Sequence, residues 1–184
     1  MDYEDQQTIT PFLLPSERIL WTGRPPTGIL FRKSDIFLIP FSLVWAGFAV
    51  FWEYTVFNSD APPMLMVFGG VFVMIGLFVV FGRFIYDMMI RRNTVYALTD
   101  QRIMILAGMF GRTLRALNLK SLPVVSLEIF GDGRGTIAFG TPMGFGMMIN
   151  NPSWPGFGRM LPPMFEKIEN AGEVYKLIES TSKQ

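Results

Sequence analysis

Ile36–Phe57 reads IFLIPFSLVWAGFAVFWEYTVF, and Met64–Phe81 reads MLMVFGGVFVMIGLFVVF. The first stretch has 22 residues and one charge, Glu53, near its end; the second has 18 residues and none. A hydrocarbon core of about 30 Å takes roughly 20 helical residues, within a range of about 17–25. Both stretches satisfy that length, and core helices of this size without a polar face are rare in a small protein. The pair is therefore read as two membrane-spanning helices, about 36–57 and 64–86. The connection Asn58–Pro63, NSDAPP, is short enough to make them an antiparallel hairpin. Pro62 and Pro63 suit a turn followed by a helix start.

Working outward, small residues recur at helical spacing on both stretches: Ser42, Ala46 and Ala49 on one, Gly69 and Gly76 on the other. Such residues let helix backbones approach where lipid removes the hydrophobic drive. Pro40 is expected in the first turn, where its missing N–H costs little. Arg18, Arg24, Arg32 and Lys33 precede the hairpin, Arg83, Arg91 and Arg92 follow it, and its loop has no Lys or Arg. The positive-inside bias then puts both termini in the cytoplasm. Trp52, Tyr54 and Phe57 mark the outer interface, and Phe31, Phe84 and Tyr86 the inner one. The start, MDYEDQQTIT, is acidic and polar, unlike the basic and apolar opening of a cleavable leader, so the first helix is expected to stay as an anchor. Glu53 lies about one turn from the outer end and is expected to snorkel to the interface.

The whole chain has 184 residues, 50% hydrophobic and 17% charged, against roughly 25% charged in an average protein. Mean hydropathy is +0.34, which excludes a disordered chain. Histidine and cysteine are absent, which removes disulfides, Cys/His zinc sites, haem ligation by His, catalytic triads and thiol nucleophiles. A net charge of +1 gives no general attraction to nucleic acid. No phosphate loop, nucleophile elbow or diagnostic carboxylate pair stands out. No enzyme activity, cofactor or metal is expected.

After Tyr86 the pattern changes. Arg83, Asp87 and Arg91 stand four apart, which stacks opposite charges on one helix face. From Thr94 onward, short strand-forming runs alternate with turns: Thr94–Thr99, Arg102–Ala107, Thr113–Leu119, Val124–Phe130 and Gly135–Gly140. Gly131-Asp132-Gly133-Arg134 is a hairpin signal rather than a phosphate cradle, since no helix follows it. Met164–Glu169 reads as one more strand. Asn170 with Glu173 is expected to cap a helix from about Ala171 to Ser182, with Val174, Leu177 and Ile178 on one face.

These residues carry a family resemblance. Tyr96-Ala97-Leu98-Thr99-Asp100-Gln101-Arg102-Ile103, taken as Y-x-L-T-x-x-R-I, resembles the signature of the bacterial pleckstrin-homology-like (PH-like) domain. The run GDGRGTIAFG, the ending F-x-x-I-x-N-x-x-x-V-Y-x-L-I from Phe165 to Ile178, and Ser16-Glu17-Arg18-Ile19-Leu20-Trp21 before two transmembrane helices are similar to it too. The resemblance implies a membrane α+β protein of the bacterial cytoplasmic membrane: a helical hairpin and a small antiparallel barrel of about seven strands, capped by a C-terminal helix. It divides the chain into an N-terminal cytoplasmic segment, 1–35, a hairpin, 36–86, and a PH-like domain, 93–184. Residues 17–21 are candidates for an extra barrel strand. Asp100 stands where the family usually has Asn. The basic cluster with which eukaryotic relatives bind phosphoinositides is missing, so that recognition is not implied.

Two surfaces are candidates for function. From Arg83 to Lys120 the chain has seven Lys/Arg and two acids, 7 − 2 = +5. Arg83, Arg91 and Arg92 are the candidate contacts to anionic lipid headgroups, each worth about 1 kcal/mol near such a surface. The second is the loop Pro142–Pro163, with five Pro, four Gly, four Met, three aromatics and one charge. Met147, Met148, Trp154 and Phe157 are its candidate contacts for a partner, a second copy or the bilayer. The leading reading is a non-enzymatic, membrane-anchored PH-like interaction module with a protein partner or homo-oligomer, and no nucleic acid. By resemblance, it would scaffold or assist assembly of a membrane complex; the alternative is a peripheral sensor of anionic lipid. Trp154→Ala with Phe157→Ala in the full chain is expected to lower the oligomer mass in native mass analysis while leaving the strand-rich domain's circular dichroism unchanged. Loss of that spectrum instead would make the loop part of the domain core.

Overall fold

A computed structural model describes residues 3–32, 35–108, 111–141 and 162–183. Two helices among them are long and apolar enough to cross a membrane. The first is α2, Asp35–Phe57; the second starts as α3, Pro63–Leu77, passes through a π-helical turn, Phe78–Gly82, and ends as α4, Arg83–Arg92. Only 17% and 11% of their most apolar windows are buried inside the protein, whereas the core helices of a soluble domain would be covered. The second helix thus runs six residues past its expected end at 86. Pro40 falls at the sixth residue of α2, one turn deeper than expected, and so removes one intrahelical hydrogen bond.

The hairpin packs along a narrow seam. On α2 the buried residues are Asp35, Ser42, Ala49 and Val56, each seven after the last. On the facing helix they are Gly69, Gly76 and Arg83, again seven apart. A seven-residue repeat keeps one stripe of each helix against its neighbour. Small side chains fill the seam as expected. At Gly76 an added Cβ would lie 3.1 Å from Ala46 Cβ and 3.2 Å from its Cα. Trp45–Phe72 and Trp52–Phe68 ring contacts flank the seam, with centroids 5.9 and 6.4 Å apart.

Among the described residues, seven strands form two antiparallel sheets. Sheet A has the order β1-β2-β3-β4, from Ile19–Gly23, Val95–Thr99, Arg102–Ala107 and Thr113–Asn118. Sheet B has the order β5-β6-β7, from Val125–Ile129, Gly135–Phe139 and Met164–Ile168. The first strand precedes the hairpin and the second follows it, so the hairpin is an insertion between two paired neighbours, with Trp21 opposite Leu98. The resemblance implies a barrel. Among the described residues no ladder joins β4 to β5 or β7 to β1, and the sheets pack against one another as separate layers.

The strand period of two divides the side chains between two cores. Tyr96, Leu98, Ile103 and Ile105 meet Ile137, Phe139, Phe165 and Ile168 between the sheets. Val95, Ala97, Met104 and Leu106 point to the other face, where Ile9 covers them. Ile9 ends a short helix, α1, Tyr3–Ile9, in the stretch the sequence marks only as a polar start. That cover explains why every residue of β2 is buried. The C-terminal helix, α5, Ala171–Ser182, buries Ala171, Val174 and Ile178 against the inter-sheet core. Its start corrects one expectation. Asn170 does not cap with its side chain; it is left-handed, φ 51°, and its carbonyl accepts the N–H groups of Glu173 and Val174.

Gly76→Leu should overpack the seam and cost about 1–3 kcal/mol, read as a lower unfolding midpoint in detergent. Gly47→Leu, where an added Cβ meets nothing within 4 Å, should leave the midpoint unchanged.

Candidate functional site: a buried ion-pair network at the base of the hairpin

Among the described residues, the base of the hairpin gathers six charges. The face of α4 presents Arg83, Asp87 and Arg91 at helical spacing, and all three are buried. Asp87 divides its oxygens between two cations: Oδ2 accepts from Arg91 Nε at 2.9 Å, and Oδ1 from Arg32 Nη2 at 3.0 Å. Arg32 lies in the segment leading into α2. It also donates to both oxygens of Glu166 on β7, at 2.9 and 3.1 Å. Arg91 continues to the carbonyls of Pro26 and Gly28. Asp35 starts α2 and accepts the backbone N–H of Arg32 at 2.7 Å, with its other oxygen 3.0 Å from Arg83 Nη1.

Three guanidinium groups thus meet three carboxylates, and the charges cancel. The side chains of Arg32, Asp87, Arg91, Asp35 and Arg83 are each at most 8% exposed, so pairing rather than water has to compensate them. Burial lowers the Arg32 pKa, but the neighbouring Glu166 and Asp87 charges outweigh it and hold the pKa above the ordinary arginine value. Burial, then the Glu166 charge, pushes the Tyr96 phenol well above its usual range. Its oxygen accepts the Glu166 N–H at 3.3 Å. Arg83 is the incomplete member. Its approach to Asp35 is not aligned as a hydrogen bond, and none of its three nitrogens has a hydrogen-bond partner among the described residues. Its guanidinium rests 4.5 Å from the centroid of the Phe84 ring.

A second cluster secures the strand before the hairpin. Glu17 accepts from Arg102 Nε and Nη2, both at 2.9 Å, from the Thr99 hydroxyl at 2.7 Å and from the Leu14 N–H at 2.7 Å. Thr99 Oγ1 in turn accepts the Arg102 N–H at 2.9 Å and so shapes the β2–β3 turn. Residues about 80 positions apart in sequence, Ser16–Trp21 and Thr99–Arg102, therefore meet through one carboxylate. Burial raises the Glu17 pKa, but the Arg102, Leu14 and Thr99 hydrogen bonds and the Arg102 charge outweigh it, leaving the pKa below the usual carboxylate range.

The candidate lipid contacts do not form one exposed strip. Arg83 and Arg91 turn inward to Asp35, Asp87 and the carbonyls, and Arg92 alone of the three is exposed. The reason is local: charge-assisted pairs in a buried pocket outcompete a solvated position once three carboxylates converge there. Glu53 does not snorkel either. Its carboxylate folds against Gly69, where an added Cβ would clash with Oε2, and Oε2 is buried without a hydrogen-bond partner among the described residues. Met147, Met148, Trp154 and Phe157 lie outside the described residues, as does Lys33. The Gly131–Arg134 stretch is a hairpin turn, with Phe130 N–H bonded to Arg134 O at 2.8 Å. A cleft of about 290 Å³ opens beside the network, lined by Phe31, Arg32, Thr136, Pro162, Glu166 and Lys167. Among the described residues no group of three or more carboxylates is placed to hold a metal.

Apart from the nitrogens of Arg83, the network's charged groups are engaged with one another, and the arrangement holds elements together. It cross-links the segment before α2, both legs of the hairpin and β7. Comparison with family models, curated proteins and solved structures found no match to this chain.

Asp87→Ala strips the shared anion from two buried cations and should cost about 3–5 kcal/mol, seen as a large drop in the unfolding midpoint of the full chain. Glu17 gives a pH signature. Its folded pKa is depressed, so its stabilisation is present above the unfolded value of about 4.3 and disappears as pH falls through the folded value. Glu17→Gln should lower stability at neutral pH and flatten its decline below about pH 4; an unchanged acid limb in thermal melts would contradict this.

Proposed function

We propose that this chain is a non-enzymatic, membrane-anchored PH-like module that assists assembly of a membrane protein complex. The observation that carries the reading is the buried network. It ties the apolar hairpin to the two-sheet domain through ion pairs on both sides, so the domain is held in a set orientation to its anchor rather than tethered. A presenting or scaffolding element needs that rigidity, and a catalyst would need a free reactive group. The PH-like part of the proposal is supported by the joining of Glu17, Thr99 and Arg102, residues of the two motifs that carry the resemblance. The antiparallel sheets and the C-terminal helix are in keeping with it.

In this reading the Lys/Arg bias sets the topology: both termini in the cytoplasm of a bacterium, and Asn58–Pro63 outside. The lipid-sensing alternative is weaker, because Arg83 and Arg91 are committed to carboxylates.

Topology and function have separate tests. Because the chain lacks cysteine, Ser59→Cys should react with an impermeant maleimide in intact cells and Ser180→Cys should not; the reverse labelling sinks the orientation. Full-length protein in mild detergent should retain a stoichiometric membrane protein by native mass analysis. Retention of anionic lipid alone would favour the sensor instead.

A further inference from the structure

Glu53 is the one charged side chain inside either apolar stretch. Intramembrane ionisable groups are uncommon and face a partner or a cavity. Here no such partner lies among the described residues. The carboxylate lies across Gly69, and its buried Oε2 has no hydrogen-bond partner among the described residues. The same residue forms the edge of a shallow groove of about 720 Å³ along α3, lined by Val67, Gly70, Met74 and Phe78 and almost wholly apolar. Those four residues follow a helical stripe, and Gly70 has nothing within 4 Å of where a Cβ would stand. Another helix could approach closely along it.

Resting on the membrane reading above, we propose that this groove receives a transmembrane helix of a different protein, one that brings a Lys or Arg to the depth of Glu53. Charge complementarity sets the choice. An acceptor without a donor in an apolar surround calls for a cationic donor. A second copy of this chain cannot supply one. Neither apolar stretch contains Lys or Arg, and a parallel self-pair would bring Glu53 against Glu53. Of the neutral donors of the hairpin, Ser42, Thr55, Asn58 and Ser59 are committed to their own helix, to Ile39 O, Phe51 O, Tyr54 O and Val56 O. The assembly role thereby gains a recognition element: an intramembrane acid on this chain and an intramembrane base on its partner.

The probe is a Leu-rich transmembrane peptide with one Lys at the matching depth, compared with the same peptide carrying Leu there. Full-length protein labelled at Ser59→Cys is placed in vesicles with each peptide, and association is read by energy transfer. The Lys peptide should associate at least about tenfold more tightly than the Leu peptide, and Glu53→Leu should abolish the difference. Equal association of the two peptides overturns the proposal, as does a Lys preference that survives Glu53→Leu. Glu53-dependent self-association in peptide-free vesicles also overturns it, in favour of a second copy. Maleimide accessibility of the same Ser59→Cys separates the two levels. An inserted chain without Lys preference sinks this inference alone, and a chain that does not insert sinks the membrane reading with it.

Discussion

Asp87 holds two buried guanidinium groups at once, and the architecture depends on that sharing. One of its oxygens ties Arg91 on its own helix; the other ties Arg32, which arrives from the segment before the hairpin and continues to Glu166 on β7. Without the anion, two cations would be left in a pocket closed to water. Burying charges is unfavourable unless each is paired with good geometry. The network meets that condition by giving each central charge more than one partner. In return it specifies a single arrangement, because one carboxylate cannot satisfy Arg32 and Arg91 together unless α4, the pre-hairpin segment and β7 all converge.

The need for such a fastening follows from topology. The hairpin interrupts two neighbouring strands, β1 and β2, so β1 has to find its place after a long excursion of the chain. Closing long loops carries an entropic cost that grows slowly with length. Three features offset it here. The ladder between Ile19–Gly23 and Val95–Thr99 supplies backbone bonds. Glu17 grips Arg102 and Thr99 at one end of that ladder. Trp21 contributes its ring to the inter-sheet core, 5.4 Å from Phe165. The apolar seam of the hairpin then brings Asp35 and Arg83 to the same level, seven residues below Ser42 and Gly76, which positions the base of the hairpin for the network.

Among the described residues, two charged groups, one at each end of the hairpin, depart from this pattern of complete satisfaction, and the Thr22 hydroxyl is a third buried polar group without a hydrogen-bond partner. Arg83 has an ion contact and an aromatic face but no aligned acceptor. Glu53 has an apolar surround and no donor. Around them the chain satisfies its buried charges thoroughly, so their condition is not a general looseness of packing. Sites of incomplete pairing in an otherwise satisfied structure are where a second molecule gains most by supplying what is missing.

Local period and composition were enough to read the helical hairpin, the six strands after it and the span of α5, because each depends on neighbours within a few residues. Ser42, Ala49, Gly69 and Gly76 were legible as packing residues for the same reason: small size at a helical repeat has one use in an apolar span. Tertiary structure alone decided the fate of the charges. Arg83 and Arg91 share with Arg92 a place beside an apolar helix, and in sequence only their four-residue spacing from Asp87 sets them apart, yet two are buried and one is exposed. The difference is made by Asp35, which meets Arg83, and by Asp87 with the Pro26 and Gly28 carbonyls, more than 60 residues back along the chain, which hold Arg91. The cover given by Ile9 to Val95 and Met104, the pairing of Glu17 with Arg102, and the folding of Glu53 onto Gly69 are likewise contacts between distant segments. Periodicity carries information about which face of an element is apolar. Which opposite charge waits on the next element depends on how the chain returns, and that is set only when the elements pack.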